Sequence, residues 1–241
     1  MQDTPDISVV VPVHDEAGAA GPLAREIADA FAGRSYEMIF VDDASKDATL
    51  AELRALMAEL PTLRVLSHST NAGQSRAVRT GVLAARGPIV VTLDGDGQNP
   101  PADAPKLADA LIAAPPNVAL VGGRRAKRQD SEAKRWASRW ANRIRKKLLK
   151  DDADDTGCGL KAFRRDVFLR LPYFDHVHRY LPALTLREGY ENRYLDVDHR
   201  HRETGRSKYT NWGRLTASFS DLMGVMWLKS RARRPGSIRE F

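Results

Sequence analysis

Asp94-Gly95-Asp96-Gly97-Gln98 sets two carboxylates one residue apart, directly after the apolar run Ile89-Val90-Val91-Thr92-Leu93. Such a pair at a strand end can share a divalent cation, directly or through water. A hard cation such as Mg2+ or Mn2+ suits carboxylate oxygens and bridges to substrate phosphates. Two blander readings compete. Asp-Gly is a strong hairpin signal, but here Pro100-Pro101 and a helical pattern follow. A calcium loop fails on spacing, because Gln98-Asn99 stands where an EF-hand needs Asp or Asn and then Gly. The metal–phosphate reading is therefore kept. Among the histidines, His176/His178 and His199/His201 are each two apart without a His-Glu-x-x-His pattern, and read as surface or phosphate-proximal side chains. The single cysteine, Cys158, excludes an internal disulfide, fits a reducing compartment and reads as packing.

Carboxylates act together only if the chain folds to bring them together. Ile7–Val13 is a β-branched run, as a buried parallel strand would be. Tyr36–Val41, Leu63–Ser67, Pro88–Leu93 and Val118–Val121 read as further strands. Between them, Leu23–Phe31, Ala48–Leu60, Gly73–Ala85 and Ala102–Ala113 carry apolar residues at helical spacing. This alternation predicts an α/β fold with a mainly parallel sheet flanked by helices. Ligands in that architecture bind beyond the carboxyl ends of the strands. Asp15-Glu16, Asp42-Asp43 and Asp94/Asp96 all fall on that edge. One acidic loop is unremarkable; three after successive strands predict a site.

Charge is unevenly spread. From Arg124 to Lys150 there are twelve Lys and Arg against two acidic residues, a local balance of +10 in a chain of net +7. The remainder carries −3, so a basic segment on a mildly acidic body points to an anionic partner. Ser131–Lys150 reads as a basic helix with Trp136, Trp140, Ile144 and Leu148 on one side. Asn211–Lys229 reads as another, with Trp212, Leu215, Phe219, Leu222, Met223 and Met226 on one face. No apolar run reaches the roughly 20 residues of a spanning helix, and no secretory signal opens the chain.

Several blocks, taken in order, resemble the family 2 glycosyltransferases of the GT-A fold, and within them the dolichol- and polyprenyl-phosphate sugar transferases. Val9-Val10-Val11-Pro12-Val13-His14-Asp15-Glu16 resembles the first-strand motif, with His14 and Asp15 where Tyr and Asn are usual. Phe40–Asp47 is similar to the second-strand nucleotide motif, Asn71–Ala77 to the glycine-containing loop, and Asp94–Gln98 to Asp-x-Asp-x-Gln. Val121–Arg124, Asp155–Gly159 with Phe163-Arg164, and Arg202–Tyr209 are similar to the later blocks.

The resemblance implies an inverting enzyme that moves a sugar from GDP-mannose or a UDP-sugar to a polyprenyl or dolichyl phosphate. Pro12, His14, Glu16, Asp43 and Asp94 would bind the nucleotide. Asp94 and Asp96 would hold Mg2+ or Mn2+, with Gln98 supporting the sugar or the metal's surroundings. Asp94, Asp96, Arg124 and Arg202 would serve catalysis, while Lys134, Arg135, Ser138, Arg202, Ser207 and Lys208 would bind the acceptor phosphate. Residues 1–210 would form the catalytic domain and 211–241 a basic amphipathic segment against an anionic membrane surface. The expected location is the cytoplasmic face of the membrane, peripherally or through a small membrane-protein partner. An alternative is a family 2 transferase with a soluble or polymeric acceptor. Nucleic acid is not an expected partner, because the acidic strand ends would repel a phosphate backbone without a metal and no binding module is recognised.

Overall fold

The computed structural model describes residues 4–125, 145–146, 148–151, 153, 155–200 and 211–233. Its strands are β1 (Ile7–Val13), β2 (Tyr36–Asp42), β3 (Leu63–Ser67), β4 (Ile89–Thr92), β5 (Val118–Arg125), β6 (Lys161–Arg164) and β7 (Glu191–Val197). The helices are α1 (Ala20–Ala30), α2 (Thr49–Leu56), α3 (Gln74–Ala84), α4 (Ala104–Ile112), α5 (Arg165–Arg170), α6 (Leu181–Arg187) and α7 (Asn211–Ser230). The strands form one sheet in the order β3-β2-β1-β4-β6-β5-β7. Only the pairings of β6, with β4 and with β5, are antiparallel.

β-Branched residues on β1 point alternately to the two faces and seed two apolar layers. Val9, Val11 and Val13 pack with Leu23 and Ile27 of α1, Leu53 of α2 and Leu107 of α4. Val10 faces the other way, into Val78 and Val82 of α3, Phe168 of α5, Leu184 of α6 and Val225 of α7. The chain leaves β1 toward β2 and β3 on one side and toward β4 on the other. The carboxyl ends of β1 and β4 therefore flank a topological switch point, the place where open α/β sheets leave a crevice.

The opposite edge carries stability. Glu37, 3% exposed, accepts hydrogen bonds from Ser8 Oγ (2.7 Å), Arg86 N (2.7 Å), Arg64 Nη1 (2.5 Å) and Arg86 Nε (3.1 Å). Burial alone would push its pKa up, yet these donors hold it below the ordinary carboxylate range. Glu37→Ala removes the buried carboxylate on which these four donors converge and is expected to cost about 3 kcal/mol in urea unfolding. Because the folded pKa is depressed, the wild-type advantage is present above the unfolded carboxyl pKa and is lost as pH falls through the folded one.

The first half follows the sequence expectation closely, with ends moved by a few residues. Helix Ala48–Leu60 is shorter, at Thr49–Leu56, and Val118–Val121 extends to Arg125. Strands β6 and β7 and helices α5 and α6 are additions. The expected basic helix Ser131–Lys150 lies mainly outside the described residues, including Trp136, Trp140 and Ile144. α7 forms as expected, but its apolar residues split between two faces. Leu222, Val225, Met226 and Leu228 pack on the core, whereas Phe219, Met223 and Trp227 are 66%, 50% and 60% exposed. Trp212 and Leu215 lie outside the described side chains. His176 Nδ1 to Asp221 Oδ2 (2.9 Å) and Arg187 Nε to the Leu228 carbonyl (3.1 Å) tie α7 to the body.

Candidate active site

The crevice begins with two loops knitted together by short polar side chains. Asp15 N donates to Ser45 Oγ (2.9 Å), and Lys46 N donates back to Asp15 Oδ1 (2.7 Å). Glu16 N meets Thr49 Oγ1 at 2.8 Å. Asp15 and Ala44 both hold positive φ, 50° and 59°, in a region that non-glycine residues rarely adopt. Strain of this kind persists where surrounding bonds over-determine the backbone, and such places concentrate at functional edges.

Of the nucleotide-binding candidates, Pro12 walls a cavity beside Asp94. His14 and Glu16 stand in the loop after β1, with His14 Nε2 3.4 Å from Asp15 Oδ2. Asp43 is 3% exposed and already engaged. Its oxygens accept from Ala72 N (2.9 Å), Gly73 N (2.8 Å) and the ring of His68 (2.7 Å). It organises the loop that opens α3, a structural task that the sequence reading did not assign to it.

Asp94 and Asp96 follow β4. Gly95 between them lies so close to β1 that a Cβ would sit 2.7 Å from the Pro12 carbonyl oxygen, so only glycine lets the turn press into the crevice. Gln74 Nε2, on the first residue of α3, donates to Asp94 Oδ1 at 2.7 Å. Gln98 N donates to Asp96 Oδ1 at 3.2 Å, and the Gln98 carbonyl takes Arg200 N at 2.9 Å. The Asp94 carboxylate rests directly over Gly159, whose missing side chain forms the space: a Cβ there would overlap the carboxylate. Thr92 Oγ1 donates to the Gly159 carbonyl at 2.9 Å and fixes that strip of chain.

Cations that the sequence reading overlooked surround Asp94. Lys161 of β6 is 5% exposed and donates to the Cys158 carbonyl. Arg125 binds Asp155 through Nε and Nη2 at 2.6 and 2.7 Å, in a bidentate pair. Arg124, the expected catalytic arginine, instead meets Asp196 across to β7 at 2.6 Å on the exposed side of the pair. Neighbouring residues on a strand point to opposite faces, so Arg124 and Arg125 leave β5 on different sides. Cys158 is buried, its thiol held up in pKa first by burial, and it packs as expected. Lys134, Arg135, Ser138, Arg202, Ser207 and Lys208 lie outside the described residues.

Burial first, and the charge of Asp96 second, push the Asp94 carboxyl above its ordinary pKa, against Lys161, the Gln74 hydrogen bond and Arg125. An added cation would relieve both causes, because it compensates burial and separates like charges. Among the described residues no three His, Cys, Asp or Glu side chains form a ready metal cage. Two carboxylate donors, Asp94 and Asp96, suit a hard cation that takes its remaining ligands from phosphate and water, the habit of Mg2+ at phosphoryl sites. His199 also reaches this edge. Burial and then Arg125 hold its imidazole below the ordinary pKa, opposed by Asp96, Asp155 and the Gln98 backbone.

Residues 8–171 match the model of the family described as Glycosyl transferase family 2. A dodecaprenyl-phosphate galacturonate synthase of Rhizobium johnstonii is 33% identical over 237 residues, covering 96% of this chain and 69% of the relative. An undecaprenyl-phosphate 4-deoxy-4-formamido-L-arabinose transferase of Pseudomonas aeruginosa is 34% identical over 224 residues, covering 91% of this chain and 65% of the relative. The chain therefore spans about two thirds of the length of these curated relatives. Among solved structures, a mannosyltransferase from Pyrobaculum calidifontis in complex with GDP-Man and Mn2+ superimposes with a TM-score of 0.64 at 21% identity, over 97% of this chain and 66% of that one. A glucosyl-3-phosphoglycerate synthase from Mycobacterium tuberculosis in complex with Mg2+ and UDP gives 0.65 at 19% identity, over 96% of this chain and 82% of that one. At these identities the two structures establish a shared GT-A fold.

Proposed function

The chain belongs to glycosyl transferase family 2, and from that membership we propose that it transfers a sugar from a nucleotide diphosphate sugar to a polyprenyl phosphate at a membrane surface, with inversion at the anomeric carbon. The observation that carries this reading is the pair Asp94 and Asp96 at the β1/β4 switch point, one of them resting over a glycine. The two curated relatives act on lipid phosphates according to their names, which favours that acceptor over a soluble one.

Asp94 and Asp96 would hold Mg2+ or Mn2+, which when bound supplies Lewis-acid stabilisation of the charge growing on the leaving diphosphate. The remaining chemistry falls to the chain. Gln74 fixes the rotamer of Asp94, and the Gln98 amide fixes Asp96. Arg125 and Lys161 hold positive charge near Asp94, and preorganised charge of this kind stabilises charge that develops in a reaction. An acceptor phosphate monoester, with a second pKa near ~6, is already mostly dianionic at neutral pH. It needs positioning rather than a general base. Its oxygen forms the new bond to the anomeric carbon while the bond to the nucleoside diphosphate breaks, and the leaving group departs with the electron pair. No covalent sugar–enzyme intermediate arises. Lys134, Arg135, Ser138, Arg202, Ser207 and Lys208 remain the proposed acceptor-phosphate contacts, with Arg202 also serving catalysis.

Phe219, Met223 and Trp227 stand one helical turn apart on the solvent side of α7, followed by Lys229, Arg231 and Arg233. An apolar stripe beside cations suits the boundary of an anionic bilayer. Among the described residues no helix is long and apolar enough to cross a membrane, so this stripe is proposed as a peripheral attachment at the cytoplasmic face. Replacing all three residues with Ser is expected to lower partition onto anionic vesicles about tenfold or more, read by sedimentation. Unchanged partition would remove α7 from the attachment. The function itself is tested with a panel of nucleotide sugars, Mn2+ and a short-chain polyprenyl phosphate. The reading expects a glycosylated lipid from at least one donor; turnover with water-soluble acceptors alone would overturn it.

A further inference from the structure

His178 has no part in the chemistry above, yet it sits at the site. It belongs to the short turn Val177–Arg179 that leads into α6. The residue borders a small cavity, of about 20 Å3, whose wall includes Pro12, Gln74, Asp94, Lys161 and Leu181. It is firmly held there. Nδ1 lies 2.7 Å from Ser75 Oγ on the first turn of α3, and the same oxygen accepts the His178 backbone N–H at 3.4 Å.

That geometry settles which ring nitrogen carries the proton. Ser75 is 1% exposed, and a buried hydroxyl must place its hydrogen on an acceptor. Among the described residues the only acceptor it reaches is Nδ1 of His178. The hydroxyl therefore donates to Nδ1, and the proton of the neutral imidazole resides on Nε2. The ring is neutral: burial foremost, then the charges of Lys161, Arg179 and His176, hold its pKa well below 6.5. Nε2 forms no hydrogen bond with any described residue. The result is an uncharged N–H donor on a residue that borders the same cavity as Asp94.

We propose that His178 is a specificity-determining residue that donates a hydrogen bond from Nε2 to an oxygen of the donor's sugar. The proposal rests on the functional reading above in one respect, that the diphosphate lies against Asp94. The sugar is one bond from that diphosphate, so the space walled by Asp94 falls within its reach. Phosphate oxygens carry charge and are matched by the cations nearby. A neutral donor matches an uncharged hydroxyl or carbonyl oxygen instead. Such a contact discriminates because a sugar lacking that oxygen would leave the donor unpaired once water is expelled.

The test compares nucleotide with nucleotide sugar. UDP, UDP-glucose, GDP and GDP-mannose are titrated with Mn2+ into wild type, His178→Ala, His178→Gln and Ser75→Ala, and donor and acceptor KM are measured with a short-chain polyprenyl phosphate. For the donor that wild type uses best, His178→Ala is expected to lower kcat/KM about 10- to 100-fold. Affinity for the bare nucleotide should stay within about twofold, and His178→Gln, whose amide keeps a donor, should recover most of the loss. Ser75→Ala, which frees the tautomer, should fall between. An equal loss of bare-nucleotide affinity in His178→Ala and His178→Gln would make the residue structural and overturn the proposal. A rise confined to the acceptor's KM would assign the cavity to the acceptor phosphate, and unchanged kinetics would assign it to nothing; either result also overturns it. If wild type transferred no sugar at all, the functional reading would fail. The difference in binding between nucleotide and nucleotide sugar would still decide the His178 contact.

Discussion

Asp96→Ala is expected to lower kcat by about a thousandfold or more while leaving the fold in place. The Asp96 carboxylate accepts from Gln98 N at 3.2 Å, and losing such a hydrogen bond costs about 1 kcal/mol. Thermal unfolding should therefore move by only a few degrees. The catalytic loss has a different origin. With Asp94 alone, a cation would have a single carboxylate, and the charge on the departing diphosphate would lose its nearest compensation. Asp96→Asn separates shape from charge: it keeps the size and one oxygen, and is expected to lose nearly as much. Turnover within about tenfold of wild type in both variants would remove Asp96 from the reaction.

Gly159→Ala is expected to be almost as damaging although it adds only a methyl group, and no charge, to a residue that does no chemistry. A Cβ at this position would overlap the Asp94 carboxylate. The neighbours cannot yield easily, because the Gly159 carbonyl is held by Thr92 Oγ1 and Gly123 N is bonded to the Leu160 carbonyl at 2.9 Å. Asp94 must then turn away from Gln74 or the loop must lift. A shift of roughly 1 Å in a reacting array costs about a hundredfold in rate, so kcat/KM should fall by at least that factor. Gly224→Ala supplies the control, since among the described residues nothing lies within 4 Å of a Cβ there and the residue is helical. It should leave activity unchanged and stability equal or slightly raised. Equal activity for Gly159→Ala and Gly224→Ala would mean that Asp94 does not need its present position.

The parts of the fold legible in the sequence were the strands with apolar runs in the first half of the chain. β1 and β2 are near-continuous apolar runs, and β1 and the edge strand β3 have the expected ends to the residue. β6 was hidden because it has four residues, beginning with buried Lys161 and ending with Arg164. Neither residue marks a core strand until its partners are known. β7 sits at the sheet's edge with mainly polar side chains, so its pattern resembles a loop. α5 and α6, of six and seven residues, are too short to display a helical period.

The site divides in the same way. Asp94 and Asp96 were readable because two carboxylates after an apolar strand have few uses. Arg125 went unnoticed beside Arg124 because its place near Asp94 depends on the orientation of the strand. Asp43 looked available because sequence cannot show that three donors already occupy it. The histidine pairs read as surface or phosphate-proximal, whereas His178 is packed beside the cavity through Ser75, which lies far away in sequence. Gly159 carried a signal within the block Asp155–Gly159, but its meaning, room for one carboxylate, is visible only in three dimensions.

The most direct test is a Mn2+ titration followed by electron paramagnetic resonance, with UDP or GDP present, on wild type and on the Asp94→Asn/Asp96→Asn double variant. The account predicts one nucleotide-dependent Mn2+ bound per wild-type chain and none in the double variant under the same conditions. Stoichiometric binding that survives loss of both carboxylates, or a wild-type chain that takes up no Mn2+ with either nucleotide, would contradict it.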